Sequence, residues 1–240
     1  MFRLMIKRGF DIVASMAGLV SLAPMFVIVA VVIKLDSGGP VFFQQERMGR
    51  GLNPFRIIKF RTMSPETIDH TQSLSVVHDT RITRAGRWLR RLKIDEFPQL
   101  VNVLKGDMSL VGPRPELRRY VELRRRDYET ILTVRPGMTD PASLAYHDEA
   151  QHLAHAIDPE KEYVAKILPA KIRLSRQYVA ASTICEDAVI LLRTLYLVGC
   201  MCTLRERKDV RDVSISERMV PPIKKLTVSR LRMFVSPESV

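Results

Sequence analysis

Cysteine is scarce in this chain, and its distribution gives no sign of a disulfide framework. The 240 residues contain three cysteines, Cys185, Cys200 and Cys202. An odd number without any Cys-x-x-Cys spacing predicts free thiols in a reducing compartment. Structural zinc sites and disulfide scaffolds are therefore disfavoured.

Acidic residues are outnumbered by basic ones. The chain has 38 Lys and Arg against 26 Asp and Glu, a formal net charge of +12 at pH 7. This excess predicts an acidic partner, which nucleic acid, anionic lipid or a phosphorylated substrate would each satisfy. Aromatic residues make up 7% of the chain and are not interleaved along a basic face, so no nucleic acid is expected to bind. A membrane-tethered nucleic-acid-binding protein stays an alternative on charge alone.

One long segment, residues 12–33, lacks charge altogether. As a helix it is long enough to cross a bilayer, and it is too long for the core of a secretory signal. It therefore predicts a retained anchor. Pro24 removes a helix hydrogen bond and predicts a kink, which Ser21 could partly compensate. Both flanks are basic, so the charge pattern leaves a re-entrant helix and a kinked spanning helix equally open.

Short β-like runs follow the anchor at residues 41–45 and 55–60, around the glycines of residues 49–51. This spacing predicts a small β-hairpin. From Thr83 onward the apolar residues recur with helical spacing and arginines fill the other positions. Such a basic amphipathic helix with one tryptophan suits a membrane surface, or alternatively a solvated face over a soluble core. The apolar residues are Ala85, Trp88, Leu89 and Leu92.

Residues 64–80 are polar and predict a loop, and residues 117–133 predict helix. A helix is also predicted from Pro169 to Arg205. Its apolar part is short for a membrane span, which favours a core helix or one lying in the interface. The basic tail after Arg205 has no clear periodicity, and a mobile or loosely docked tail is expected.

The most informative stretch is residues 93–107. Four apolar residues at helical spacing predict one buried helix face; they are Phe97, Leu100, Val101 and Leu104. Asp95 and Glu96 then fall in the opening turn, directly after several arginines and lysines. Carboxylates, cations and unpaired backbone N–H groups meeting at a helix start are suited to phosphate chemistry. The plainer alternative is that Asp95 only caps the helix.

A second motif brackets one arginine with two prolines, at Pro113, Arg114 and Pro115. Proline restricts the backbone, so this loop would present the Arg114 guanidinium in a fixed place for bidentate phosphate contact. An ordinary surface loop could carry the same three residues.

Taken in order, these motifs resemble those of the bacterial sugar transferases, the monotopic polyprenyl-phosphate phosphoglycosyl transferases. The resemblance covers about residues 1–205. Its motifs are Lys-Arg-Gly-Phe-Asp at 7–11, Gly-Pro-Val-Phe-Phe-Gln-Gln-Glu-Arg at 39–47, Lys-Phe-Arg-Thr-Met at 59–63, Asp-Glu-Phe-Pro-Gln-Leu at 95–100, Asn-Val-Leu-Lys-Gly-Asp-Met-Ser at 102–109 and Val-Gly-Pro-Arg-Pro at 111–115.

The resemblance implies a mostly α (α+β) fold in three parts. Residues 1–36 would be a re-entrant membrane helix hairpin at the bacterial inner membrane. Residues 37–205 would be a small cytoplasmic catalytic domain with interfacial amphipathic helices and the short β-hairpin. Residues 206–240 would be a basic tail that the resemblance does not cover. Homo-oligomers are compatible with the sequence.

The resemblance also implies a reaction. Sugar 1-phosphate would pass from a UDP-sugar to undecaprenyl phosphate with release of UMP, in the presence of Mg²⁺. Asp95 would be the nucleophile and Glu96 its partner near the metal, so both are candidate metal ligands. Arg114 with its prolines, Arg90 and Lys59 would bind the donor. A non-catalytic scaffold of a polysaccharide assembly machine is a further alternative.

Two departures from the family pattern stand out. Ala23 precedes Pro24 where many members have serine, so the bend must depend on Pro24, and Ser21 could contribute to it. Residues 140–143 replace a common Gly-Trp-Ala-Gln, which leaves the sugar open.

Overall fold

The apolar segment forms one long helix. The computed structural model describes residues 2–64 and 79–203, and helix α1 extends over Phe2–Asp36 with Pro24 inside it. This helix is long and apolar enough to cross a membrane, and only 11% of its most apolar window is buried. It is a single element rather than two helices, so the re-entrant hairpin stays a prediction.

The predicted β-hairpin follows α1. Strands β1 (Phe42–Met48) and β2 (Pro54–Phe60) pair antiparallel, with Phe42 opposite Phe60. Gly51 adopts a left-handed conformation in the connection, with φ 66°, which glycine tolerates without steric cost. The hairpin prediction is confirmed.

Helix α2 (Arg84–Arg91) is the predicted basic helix. The Thr83 hydroxyl caps it by accepting the Gly86 N–H at 2.9 Å, as expected for an N-cap threonine. Its predicted apolar face is divided, because Leu89 is 7% exposed whereas Trp88 is 64% exposed. Trp88 is thus left on the surface among arginines.

The stretch that begins at Asp95 is not the single α-helix that the sequence predicts. A 3₁₀ helix covers Ile94–Gln99, and α3 covers Leu100–Lys105. A 3₁₀ turn takes three residues instead of 3.6, so the buried face is rotated relative to the predicted stripe. Asn102 and Val103 are buried where Val101 and Leu104 were expected.

A second, parallel pair of strands was not predicted. Strand β3 (Ser109–Val111) pairs with β4 (Gly137–Thr139). The two backbones approach so closely that a Cβ on Gly137 would lie 2.1 Å from the Gly112 nitrogen. Only glycines allow this contact, which fixes the loop that follows β3.

The remaining described elements are helical. They are α4 (Arg118–Leu123), α5 (Arg125–Ile131), α6 (Pro141–Ala145), α7 (Glu149–Ala154), α8 (Pro159–Glu162), a π-helical turn (Tyr163–Ile167), α9 (Leu168–Ala181) and α10 (Ile184–Thr203). The helix predicted from Pro169 to Arg205 is therefore interrupted. Thr183 and Glu186 form a capping box there, with the Thr183 hydroxyl accepting the Glu186 N–H and the Glu186 carboxylate accepting the Thr183 N–H, which starts α10.

Both ends of α1 contact the rest of the protein. Near its start, Arg8 donates to the Val103 carbonyl of α3 at 2.7 Å. At its end, the Asp36 carboxylate accepts the Ala85 N–H of α2 at 3.0 Å. Between them Ile33 is 2% exposed and packs with Phe60, whereas much of the apolar surface of α1 is open. The helix is therefore attached along its length to one body.

Gly86 sets how closely α2 lies on the chain after β2. A Cβ at this position would meet the Thr62 carbonyl oxygen at 2.1 Å. We expect Gly86→Ala to destabilise the fold by about 1–3 kcal/mol or more, as for other overpacked sites, and to lower the unfolding temperature in detergent. Gly9→Ala is the control, since nothing lies within 4 Å of its Cβ; it should be neutral or stabilising. Equal unfolding temperatures for both variants would contradict the packing described here.

Two predictions fall mainly outside the described residues. The polar loop of residues 64–80 is described only at its ends, and the basic tail of residues 206–240 is not described. Both therefore stay predictions.

Candidate active site

Asp95 and Glu96 occupy the first turn of the 3₁₀ helix, after a sharp change of chain direction. Lys93 makes that change in a left-handed conformation, with φ 57°, which is uncommon for a residue with a side chain. The turn brings the end of α2 close to the two carboxylates. Asp95 is 8% exposed, so this acidic pair lies inside the protein rather than on a solvated helix start.

Glu96 is held by two cations from different parts of the chain. Its Oε1 accepts from Lys59 Nζ of β2 at 2.8 Å and from Arg114 Nη2 at 2.6 Å. Burial alone would raise the pKa of Glu96, but the attraction of Arg114 and Lys59 outweighs burial and holds that pKa well below its usual range. Glu96 is therefore ionised, and its charge raises the pKa of Arg114.

Arg114 is presented by a rigid loop, as the proline pattern predicts. Pro113 and Pro115 are both buried. The Pro113 carbonyl also accepts the Gly137 N–H at 2.9 Å, which attaches the loop to β4. The Arg114 side chain remains about one-third exposed, so part of the guanidinium is open to a ligand beyond Glu96.

Arg90 reaches the site from the last turn of α2. Its Nε donates to the Thr62 hydroxyl at 2.8 Å. Burial lowers the pKa of Arg90, and the nearby Asp95 carboxylate acts in the opposite direction. Thr62 thus orients Arg90 beside the acidic pair, a role that the sequence did not predict.

Asp95 differs from Glu96 in lacking a fixed partner on one oxygen. Its Oδ1 is buried and has no hydrogen-bond partner within the described part of the chain. Burial raises the pKa of Asp95, the adjacent Glu96 charge raises it further, and Lys59 and Arg90 oppose both effects. A desolvated carboxylate beside cations, with one oxygen uncommitted, is equipped to attack an electrophile or to bind a cation.

The acidic pair offers unequal metal ligands. Asp95 Oδ1 suits a hard cation because it is an anionic oxygen without a donor. Glu96 Oε1 is taken by two side chains, and its Oε2 lies 3.4 Å from Arg114 Nη1. Magnesium commonly uses one or two carboxylates together with substrate phosphates. The residues therefore fit Mg²⁺, with Asp95 as the better ligand.

The structure brings together every charged residue predicted for the site. Lys59, Arg90, Asp95, Glu96 and Arg114 meet around one buried position, although they come from β2, α2, the 3₁₀ helix and the loop after β3. Asn102 was missed, and so was Thr62. The signal for Asn102 was a polar residue within an apolar helix, between Val101 and Val103.

Comparison with known proteins gives a consistent result. The family model "Bacterial sugar transferase" matches residues 2–200. A UDP-N-acetylgalactosamine-undecaprenyl-phosphate N-acetylgalactosaminephosphotransferase of Aeromonas hydrophila is 37% identical over 193 residues, which are 79% of this chain and 43% of that protein. An undecaprenyl-phosphate glucose phosphotransferase of Komagataeibacter xylinus is 46% identical over 145 residues, 58% of this chain and 27% of that protein.

For a third relative, the match covers a larger share of the relative's own length. The UDP-glucose:undecaprenyl-phosphate glucose-1-phosphate transferase of Caulobacter vibrioides is 36% identical over 192 residues, which are 79% of this chain and 68% of that protein. The chain thus spans less than half of the first two relatives and about two-thirds of the third. Because the family match extends over most of the sequence and includes every residue of the acidic site, this chain belongs to the bacterial sugar transferase family.

Proposed function

We propose that this protein transfers sugar 1-phosphate from a UDP-sugar to undecaprenyl phosphate, releasing UMP and leaving a lipid-linked diphosphosugar. The observation that carries the proposal is the buried Asp95 carboxylate, which has one uncommitted oxygen and lies beside Lys59 and Arg90, while Arg114 binds the adjacent Glu96. The names of the relatives support the substrate classes, since three of them act on undecaprenyl phosphate. The product would begin the assembly of an exopolysaccharide or a related glycan.

The proposed reaction has two displacements at the same phosphorus atom. In the first, an Asp95 oxygen bonds to the sugar-bearing phosphorus of the UDP-sugar, and the phosphoanhydride bond to UMP breaks. In the second, a phosphate oxygen of undecaprenyl phosphate bonds to that phosphorus, and the acyl phosphate bond breaks to restore the Asp95 carboxylate. A covalent intermediate lets one site use a water-soluble donor and a lipid acceptor in turn.

The cations of the site address the main obstacle, which is repulsion between Asp95 and a diphosphate. Lys59 and Arg114 offset the charge of Glu96, so the acidic pair does not present two uncompensated anions. Arg114 and Arg90 are placed to contact the nucleotide phosphates with their remaining N–H groups. Bound Mg²⁺, held by Asp95 and secondarily by Glu96, would supply further neutralisation of the donor's charge.

For the anchor we propose a re-entrant arrangement in the inner membrane, with the catalytic domain on the cytoplasmic side. Both ends of α1 contact one body, at Arg8 and at Asp36, whereas a spanning helix would place its ends on opposite sides of the bilayer. Exposed apolar side chains along α1 need a non-aqueous cover. Basic residues flank the apolar segment at both ends, which a return to the same side accommodates.

Cysteine labelling tests this topology. In a background with Cys185→Ser, Cys200→Ser and Cys202→Ser, we expect Arg3→Cys and Gly38→Cys both to react with an impermeant maleimide applied to inverted vesicles, whose outer face is the cytoplasmic one. Lys161→Cys, at a side chain that is 86% exposed, marks the face of the catalytic domain. Labelling of positions 3 and 38 from opposite faces would make the re-entrant arrangement wrong.

Release of UMP tests the function. Membranes carrying the protein should release UMP from at least one UDP-sugar when undecaprenyl phosphate is added, and label should enter the lipid fraction. A scaffold would give no turnover with any UDP-sugar. A nucleic-acid-binding protein would be retained on heparin without competition from UDP-sugars, and either result would overturn the proposal.

A further inference from the structure

We propose that Asn102 is a positioning residue that sets the place of Lys59 against Glu96; the inference rests on the proposed function. Asn102 is 1% exposed and lies on α3, directly after the 3₁₀ helix that carries the acidic pair. It contacts neither of the two carboxylates through any hydrogen bond described for it. Its influence on the site therefore passes through the strand that it holds.

The Asn102 side chain is fully hydrogen-bonded. Its Oδ1 accepts the Ile58 N–H at 3.0 Å, and its Nδ2 donates to the Arg56 carbonyl at 2.8 Å. The same Nδ2 donates to Asp107 Oδ2 at 3.2 Å. Because both Arg56 and Asp107 offer only acceptors there, the orientation of the amide is fixed. Both N–H donors are used, and the amide oxygen accepts one hydrogen bond.

These bonds replace a missing strand neighbour. In the described residues β1 and β2 form a two-stranded sheet, and the outer edge of β2 would leave the Arg56 C=O and Ile58 N–H without sheet partners. The amide of Asn102 pairs with both groups, as a peptide unit of a third strand would. The edge of β2 is thus attached to α3 at the position just before Lys59.

The attachment determines the geometry across the site. Lys59 is the next residue after Ile58, and it spans from β2 to Glu96 with Nζ–Oε1 at 2.8 Å. Glu96 belongs to the segment that runs directly into α3. Asn102 therefore closes a short loop of contacts, from Lys59 through Glu96 and α3 back to Ile58. Without the amide, the flexible lysine stem would follow a strand with a free edge.

Displacement of Lys59 matters because Glu96 then loses one of its two cations. A shift of about 1 Å in a catalytic group can cost roughly 100-fold in rate. We therefore expect Asn102→Asp to lower kcat for UMP release by about 10- to 100-fold, since the donating nitrogen becomes an oxygen that faces the Arg56 carbonyl and Asp107 without a donor.

A double-mutant cycle separates positioning from general scaffolding. Lys59→Met removes the cation that Asn102 positions, so adding Asn102→Asp to it should lower kcat little further. Asn53→Asp is the matched control, because the Asn53 amide donates to the Arg50 carbonyl in an exposed turn; it should leave kcat unchanged. If the loss of kcat in the double variant equals the product of the losses in the two single variants, the two residues act independently and the proposal is wrong.

A second measurement does not depend on activity. Lys59 can be acetylated with an amine-reactive reagent, and its rate is compared with that of exposed Lys161. We expect this relative rate to rise in Asn102→Asp, because Lys59 leaves Glu96 more often, and to stay unchanged in Asn53→Asp. If Asn102→Asp does not fold, Asn102→Ser takes its place. An unchanged rate at Lys59 would overturn the positioning role. Absence of UMP release by the unmodified protein would instead contradict the proposed function, with the labelling result still decisive for Asn102.

Discussion

Asp95→Asn is expected to lower UMP release by several orders of magnitude, because an amide of the same size is a far weaker nucleophile than a carboxylate. Protein from the variant should still fold, since Asp95 Oδ1 has no partner to lose within the described residues. The measurement is the single-turnover rate with a UDP-sugar, alongside the unfolding temperature. Asp148→Asn is the control, because Asp148 is partly exposed and pairs with His152 rather than with a residue of the site.

Trapping distinguishes the covalent route from direct transfer. Without a lipid acceptor, the unmodified enzyme should release about one UMP per active site and stop, as expected for a covalent intermediate. The peptide that contains Asp95 should gain the mass of a sugar phosphate, and Asp95→Asn should show neither the burst nor the adduct. Glu96→Gln should slow the burst but retain the adduct, since the attacking group is intact. If UMP appears only with undecaprenyl phosphate and no adduct forms, Asp95 must act in metal binding or base catalysis instead.

Removal of divalent cations is expected to have the second-largest effect. The positive charge nearest the acidic pair is already committed, since Lys59 and Arg114 both bind Glu96. A donor diphosphate adds negative charge that Arg90 and the rest of Arg114 cannot balance alone. A metal ion typically contributes several kcal/mol of transition-state stabilisation to such a reaction. Since 1.36 kcal/mol corresponds to a tenfold change in rate, EDTA should reduce turnover by about 1000-fold or more.

The metal test needs a measure of folding beside it. Turnover should return on addition of excess Mg²⁺, while the unfolding temperature without substrate should change little, because Asp95 Oδ1 is a single uncommitted ligand rather than a cage. Turnover that continues unchanged in EDTA would contradict the metal requirement. Arg90 and Arg114 would then have to neutralise the donor without help.

The sequence predicted what local patterns can encode. Hydropathy located α1, and turn residues located the β-hairpin. The positions of Lys59 and Arg114 relative to Asp95 came from the family resemblance, since no local pattern links residues so far apart in the chain. Their meeting depends on close backbone contacts such as that of Gly86 with Thr62, which leave little trace in hydropathy.

The misses have physical causes. A 3₁₀ segment at Ile94–Gln99 changed the helical phase, so the stripe that includes Val101 and Leu104 did not mark the buried face. Strands β3 and β4 have three residues each, too few for an alternating pattern to emerge. The break between α9 and α10 did have a signal, the Thr183 and Glu186 capping box.

The attachment of α1 to α3 means that α1 is also an internal support of the segment that carries the acidic pair. Arg8 binds the carbonyls of Val103 and Leu104, and the Asp11 carboxylate accepts the Leu110 N–H at 3.1 Å. A truncated protein without residues 1–36 would therefore lose more than the proposed membrane tether, since the last carbonyls of α3 would lose their hydrogen bonds to Arg8. In the proposed membrane arrangement, any force that the bilayer exerts on α1, through its thickness or lateral pressure, would likewise act on the position of the acidic pair.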